Sequence, residues 1–249
     1  MWLWRVFQLS DMPFTHLRDD IGVLFVRGTD ARGFVDGLST NQIPNDSGHA
    51  VQTVFTDRAA KIIAATLALV RDEGVVLLVY RPSIDALIGH LQPRLLGQDV
   101  ALMDISDRNH VVYEVGGTSD VEFGRWNTHQ QVTTVRLTPE LLVHIAAGPP
   151  AEAVEANMTE WTAWRVEHRW PEHGLEITAK RHPYACGLED YVHQNKGCFL
   201  GQEVLARMKS RGRTGWVLVQ GDVNALPEHR ITTEHEGRAL AILRTSEVQ

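Results

Sequence analysis

The sequence predicts an α+β protein whose neighbouring strands pair antiparallel. Short runs rich in β-branched residues follow one another across turn-sized polar breaks, as in "VQTVFTDRAAKIIAATLALV". Helical periodicity is confined to separate segments. The order is therefore strand, helix, three strands, helix, several strands, helix, and not a regular βαβα winding. No Walker loop is present and no GxGxxG follows a strand, so the usual nucleotide-binding folds have no support. No internal repeat is visible either.

The elements read in order as follows. "IGVLFVRG", Ile21 to Gly28, is a short apolar run closed by glycine and reads as a buried strand. In "TDARGFVDGLST", Thr29 or Asp30 can cap a short helix that places Phe34, Val35 and Leu38 on one face. "VQTVFT" and "IIAATLALV" flank "DRAAK" as the arms of a hairpin, and "VVLLVY" (Val75 to Tyr80) is a third strand. Pro82 suits a helix start, and Ile84, Leu87, Ile88, Leu91 and Leu95 recur at helical spacing until Pro93 and Gly97 close the segment. "VVYEV", "VTTVRL" and "LLVHIAA" read as strands, Gly148 to Pro150 as a loop, and Ala151 to Trp170 as a longer helix. Val204, Leu205 and Met208 predict a last helix starting near Gly201.

Composition narrows the function classes. The chain has 249 residues, 43% of them hydrophobic, enough for a substantial core. Its net charge of −7 leaves no global positive field for nucleic acid or an anionic membrane. "MWLWRVFQLSDMPF" lacks the basic start, apolar core and cleavage site of a leader and reads as mature protein. No apolar run approaches the roughly 20 residues of a membrane-spanning helix. The expectation is a soluble, cytoplasmic protein with no nucleic-acid or membrane partner. Two cysteines, Cys186 and Cys198, twelve positions apart and outside any CxxC, argue against a disulfide framework or a structural zinc site. The 12 histidines lack HExxH spacing, so no metal site is expected.

"NKGCFLGQEVLARMKSRGR", Asn195 to Arg213, holds the most pointed chemistry. A helix beginning near Gly201 directs unpaired N–H groups back toward Cys198. With Lys196 and Arg207 in reach, a thiolate there would be stabilised and reactive. The alternative is a buried cysteine acting as a small apolar side chain in a glycine turn. Cys186, in "PYACGLED", reads as structural.

"KGCFLGQE" (Lys196 to Glu203) resembles the K-G-C-[YF]-x-G-Q-E signature of the YgfZ family of folate-binding, iron–sulfur-related proteins, which is similar in fold to the glycine cleavage T-protein. "GTDARGFVDGLSTNQI", "FTDRAAKIIAATLALVR" and "WRVEHRWPEHGLEI" resemble further family segments in the expected order, so the likeness covers most of residues 20 to 213. The resemblance implies a three-lobed folate-binding fold around a central channel, with tetrahydrofolate or a derivative as cofactor. It also implies a role in making or repairing iron–sulfur clusters, with client or assembly proteins as partners. On that basis residues 1–213 form the folate-binding region of two interleaved lobes, and residues 214–249, where "TGWVLVQGD" and "GRALAILRT" can make a few strands, form a reduced C-terminal β-barrel lobe. Cys198 becomes the candidate catalytic residue. Glu167 is the matching pocket carboxylate for the donor-rich pterin edge, with Arg165 beside it; a helix-surface glutamate is its alternative reading. Asn41, next to Thr40, becomes a pocket-wall residue or the end of a short helix, and Lys196, Gln202 and Glu203 join the site through the motif. Arg207, Lys209, Arg211 and Arg213 can meet the folate's anionic tail or form a solvated basic face.

Departures from the pattern matter too. Where the T-protein carries its catalytic aspartate this chain has Ala64 and Ala65, so aminomethyl transfer of that kind is not expected. Ala60 replaces a turn glycine, which predicts a different turn geometry, and Arg169 replaces a glycine where it would crowd the folate. Two alternatives stand beside the accessory-factor reading. One is a folate-dependent one-carbon transferase using another base, such as Asp57, Glu114 or Glu189; the other is a folate-fold module that has lost its ligand.

Overall fold

The apolar runs fold into three antiparallel sheets. The computed structural model describes residues 13–148, 158–212 and 214–248. The N-terminal stretch before Pro13, Pro149 and Pro150, the beginning of the helix expected from Ala151, and Arg213 lie outside the described residues. Strand β1 (Phe14–Leu17) is followed by β2 (Ile21–Arg27), β3 (Ala50–Thr56), β4 (Ile62–Arg71), β5 (Gly74–Tyr80) and β6 (Ala101–Asp104). The last five form one sheet in the order β3-β4-β5-β2-β6. Strands β7 (His110–Val115), β8 (Trp126–His129), β9 (Val132–Arg136) and β10 (Leu141–Ala146) join β1 in a second sheet, ordered β1-β7-β10-β9-β8. The C-terminal strands β11 (Trp216–Asp222), β12 (Ile231–His235) and β13 (Arg238–Arg244) make an open sheet ordered β11-β13-β12, and no closed barrel occurs among the described residues.

Residue alternation sets the two faces of the first sheet. Val23, Leu67, Leu69, Val76 and Leu78 pack toward the second sheet, against Val111, Val135, Leu141 and Val143. Their strand neighbours Leu24, Val26, Ala68, Leu77 and Val79 point the other way, under two helices. Helix α1 (Ala31–Leu38) contributes Phe34 and Val35 to that layer, and α2 (Ile84–Leu91) contributes Ile84, Leu87 and Leu91. Burial on both faces explains why β4 and β5 read as nearly continuous apolar runs. Each fully buried leucine here stabilises the fold by about 2 kcal/mol. Helix α3 (Met158–Glu167) is wedged between layers: Trp161 and Trp164 face the second sheet, while Val166 packs on Leu218, Leu240 and Ile242 of the third.

Several expectations need correction. Helix α2 stops at Leu91 and continues only as a 3-10 turn through Gln92–Arg94, because Pro93 cannot extend the α-helical ladder. Asp30 does precede α1, but its side chain makes no cap and instead accepts from the Asp99 N–H at 2.8 Å. The longer helix ends at Glu167, short of Trp170. Strands β1, β6, β8 and β12 went unforeseen; all four are edge strands of four or five residues, which bury too little for an apolar alternation to show.

Two non-glycine residues adopt the left-handed conformation where glycine was expected. Ala60 has φ 61°, so the β3–β4 turn keeps the glycine-type geometry despite its methyl group, which is fully buried. Arg169 has φ 49° in the exposed turn after α3. Left-handed backbone costs an L-residue roughly 1–2 kcal/mol, and the exposed Arg169 side chain has no buried packing to offset it. Arg169→Gly is therefore expected to stabilise the protein by about 1 kcal/mol, read as a higher urea midpoint at an unchanged slope. A midpoint that stays put or falls would show that the arginine holds the turn by other means.

Candidate functional site

Buried charge organises the centre of the molecule. Arg18, in the turn between β1 and β2, is 3% exposed and donates to both carboxylate oxygens of Asp20 (2.8 Å each) and to Glu172 Oε1 (2.7 Å). Its guanidinium lies over the rings of Tyr113 (4.7 Å) and Trp161 (5.5 Å). Burial alone would lower the Arg18 pKa; the Asp20 hydrogen bonds and the fields of Tyr113 and Glu172 outweigh it and raise the group well above the ordinary arginine value. Glu172 also accepts from Trp161 Nε1 at 2.9 Å. Arg165 Nη2 donates to Glu176 Oε2 at 2.7 Å, that same oxygen accepts from the Glu172 N–H at 2.8 Å, and Thr233 Oγ1 donates to Glu176 Oε1 at 2.7 Å. One network thus links the first turn, α3, the Trp170–Ile177 segment and the third sheet.

Above this network lies a narrow central cavity of about 40 Å³. Ile21, Ala65, Leu67 and Leu78 of the first sheet and Leu137 supply apolar wall; Gln52, Tyr113, Glu172, His173 and Tyr191 supply polar groups. The mixed lining, apolar on one side and polar at one end, is the kind that orients a small ligand. Gln52 Nε2 donates to the Tyr191 hydroxyl. The Tyr113 hydroxyl makes no hydrogen bond among the described residues, and burial raises its pKa to about 12, so it stands as a neutral donor. His173 stacks on Tyr80 at 5.0 Å, and burial pushes its pKa down to about 4, keeping the imidazole neutral. Glu172 already accepts three hydrogen bonds, from Arg18, Trp161 and the His173 N–H, which leaves it one acceptor position for a ligand.

The structure distributes the sequence-predicted residues unevenly. Glu167 is exposed at the end of α3 and faces no cavity; the carboxylate at the pocket is Glu172. The reason is helical geometry: Arg165 and Glu167 stand about 200° apart around α3, so burying the first exposes the second. Arg165 itself is 3% exposed and bound to Glu176, which makes it part of the floor beneath the cavity and not a ligand for a tail. Asn41 holds β3 to the Glu189–Tyr191 turn, donating to the Gln52 and Asp190 carbonyls at 2.8 and 3.1 Å, and so acts behind the cavity wall.

The KGCFLGQE segment is mostly framework. The Lys196 side chain is 2% exposed, and its ammonium donates to the carbonyls of Asp36, Ser39 and Asn41 and to the Asp36 carboxylate at 2.5 to 3.2 Å. It is therefore not available to Cys198 or to a ligand. Gly201 (φ 84°) precedes α4 (Gln202–Ser210) and lies so close to the β3–β4 turn that a Cβ would sit 2.7 Å from the Asp57 carbonyl oxygen. Gln202 donates to the carbonyls of Lys196 and Gly197 at 3.2 and 3.3 Å. Cys198 is exposed, which excludes the buried apolar reading, whereas Cys186 is buried with its thiol pushed up to about 12 by burial. Glu203, Arg207 and Lys209 on α4 and Arg211 just after it are exposed and line neither the central cavity nor the Lys61–Arg230 cleft. The signal for Glu172 was present in the sequence as "PEHGLE", but nothing in spacing alone ranked it above Glu167.

No family model matches the sequence. Among solved structures, the glycine cleavage system aminomethyltransferase T from Bartonella henselae is similar with a TM-score of 0.77 at 13% identity, covering 94% of this chain and 79% of that one. The heterotetrameric sarcosine oxidase from Corynebacterium sp. U-96 overlaps 55% of this chain and 77% of its own at a TM-score of 0.39 and 13% identity. The first likeness defines the class: the chain has an aminomethyltransferase T-like fold of mixed helices and sheets. No helix among the described residues is long and apolar enough to cross a membrane.

Two measurements check the roles assigned here. Lys196→Met strands the Asp36, Ser39 and Asn41 carbonyls and is expected to cost about 3 kcal/mol, seen in urea unfolding; a loss within ±0.5 kcal/mol, the range of an ordinary surface substitution, would remove Lys196 from the framework. Between pH 6.5 and about 4 the unfolded chain binds more protons than the folded one, because His173 titrates near 4 when folded and near 6.5 when unfolded. That share of stability is full above pH 6.5 and is lost as pH falls toward 4. The stability gap between the wild type and His173→Phe should shift against the wild type on acidification from pH 7.5 to 5; parallel curves would mean that His173 is not held neutral.

Proposed function

We propose that this chain binds a reduced folate, tetrahydrofolate or a derivative, in its central cavity and acts as an accessory factor in the assembly or repair of iron–sulfur clusters, with Cys198 as its reactive group. The observation that carries the folate reading is the cavity itself. An aminomethyltransferase T-like fold encloses a pocket whose polar end offers Gln52, Tyr113, Tyr191 and one acceptor position on Glu172, while Ala65, Leu67 and Leu78 offer apolar wall. These groups fit a heterocycle bearing donors and acceptors along one edge. The resemblance of KGCFLGQE to the YgfZ family motif supports the iron–sulfur role. The motif's lysine, second glycine and glutamine are occupied in holding the loop, whereas Cys198 is exposed and carries a free thiol.

Binding is favoured over aminomethyl transfer. Ala64 and Ala65 are buried and carry no base. Asp57 Oδ1 accepts the N–H groups of Ala59 and Lys61 inside the turn, Glu114 pairs with His144 at 2.7 Å, and neither they nor Glu189 line the central cavity. Glu172 is held by three donors and is poorly placed to take a proton. A cluster, as cargo, typically needs four thiolates. Among the described residues no group of three histidine, cysteine, aspartate or glutamate side chains could hold a metal, so further ligands would come from a client protein or a small thiol.

Calorimetric titration with tetrahydrofolate tests the reading. Micromolar binding is expected for the wild type and for Cys198→Ala. Tyr113→Phe should bind about tenfold more weakly, the loss of one good hydrogen bond, with unchanged thermal stability. No binding by the wild type would favour a folate-fold module without its ligand. Cells carrying only Cys198→Ala should lose activity of cluster-dependent enzymes, and normal activity would remove Cys198 from the function.

A further inference from the structure

A second cleft, of about 470 Å³, opens between the start of β4, the Lys180–Ala185 segment and the third sheet. Its rim is basic: Lys61, Lys180, Arg181, His229 and Arg230 line it, and no aspartate or glutamate does. This concentration stands out in a chain of net charge −7. The positive charge is also largely unneutralised. Lys61 Nζ donates to the Lys180 carbonyl at 2.8 Å, and Arg181 Nη1 donates to the carbonyls of Leu175 and Glu176 at 2.8 and 2.9 Å. These partners are neutral oxygens, so both cations keep their full field. Lys180 is exposed and has no acidic partner among the described residues. Arg230 alone meets a carboxylate, Glu247, at 3.4 Å, and its buried Nε has no hydrogen-bond partner. The Arg230 guanidinium is held over the Trp216 ring at 4.6 Å, which fixes its orientation, and Ile231, Ile242 and Ala185 give the cleft an apolar floor.

We infer that this cleft binds a small multivalent anion, one carrying two or more carboxylate or phosphate groups. Convergent cations held by backbone carbonyls and an aromatic ring are preorganised, so the ligand need not order them itself. An arginine fork beside lysine point charges suits either oxyanion. Such an anion can be a free metabolite or the carboxylate tail of a larger molecule whose ring lies in the central cavity, and the two sources are separable by experiment. The second alternative rests on the folate reading; the site itself does not.

The probes are inorganic pyrophosphate and citrate, titrated by calorimetry at fixed ionic strength into the wild type and into the double variant Lys180→Glu, Arg230→Gln. The expected result is binding of at least one probe in the millimolar range or tighter, weakened at least tenfold in the double variant and reduced by added salt. Lys180→Glu alone, at an exposed position, keeps the test valid if the double variant is unstable. Absence of binding by both probes, or binding that the variants leave unchanged, would overturn the inference. Tetrahydrofolate bearing a tri-γ-glutamyl tail separates the sources. An affinity that falls in the variants assigns the cleft to the tail, and an unchanged affinity beside lost pyrophosphate or citrate binding assigns it to a separate ligand.

Discussion

Arg18 and Glu172, 154 residues apart in the chain, meet at 2.7 Å in the middle of the protein, and much of the architecture follows from that contact. A buried guanidinium must be paired, because leaving it unpartnered in a low-dielectric interior costs several kcal/mol. Asp20 and Glu172 satisfy it, Trp161 and the Glu176 carboxylate hold the Glu172 segment in turn, and Thr233 ties Glu176 to the third sheet. Such networks contribute uniqueness more than net stability. Here the network joins the first turn, α3, the Trp170–Ile177 segment and the third sheet, leaving only the Arg165 Nε without a hydrogen bond, and the central cavity lies beside it.

The same network explains the character of the cavity. Glu172 reaches it with its charge already compensated by Arg18, so the pocket offers an oriented acceptor without an exposed, mobile carboxylate. Burial keeps His173 neutral and Tyr113 protonated. The polar end therefore presents fixed donors and acceptors, with a neutral imidazole and a protonated phenol among them.

The KGCFLGQE loop shows how a sequence motif can be mostly mechanical. Lys196 gathers the carbonyls at the end of α1, Gly201 lets the loop press on the β3–β4 turn, and Thr56 Oγ1 donates to the Leu200 carbonyl. Ala60 completes that contact at φ 61°, a strained conformation that the close approach of Gly201 imposes. The cysteine is among the parts of the loop that this packing leaves exposed. Its position is thus fixed by neighbours that never touch it.

The sequence by itself determined the antiparallel α+β class and nine of the strands, β2 to β5, β7, β9 to β11 and β13, because strands buried on one or both faces carry an apolar pattern that survives in one dimension. It determined the start of α4 beside Cys198 for the same reason. Tertiary structure alone decided the edge strands β1, β6, β8 and β12, whose short, incompletely buried sequences gain their form from pairing with a neighbour. It also decided which charges are buried. Glu167 and Glu172 look alike in the sequence, as do Lys196 and Lys180, yet one of each pair faces water and the other is enclosed. Burial of a charge depends on partners distant in the chain, Arg18 for Glu172 and Asp36 for Lys196, and no local pattern encodes a partner that folding alone brings near.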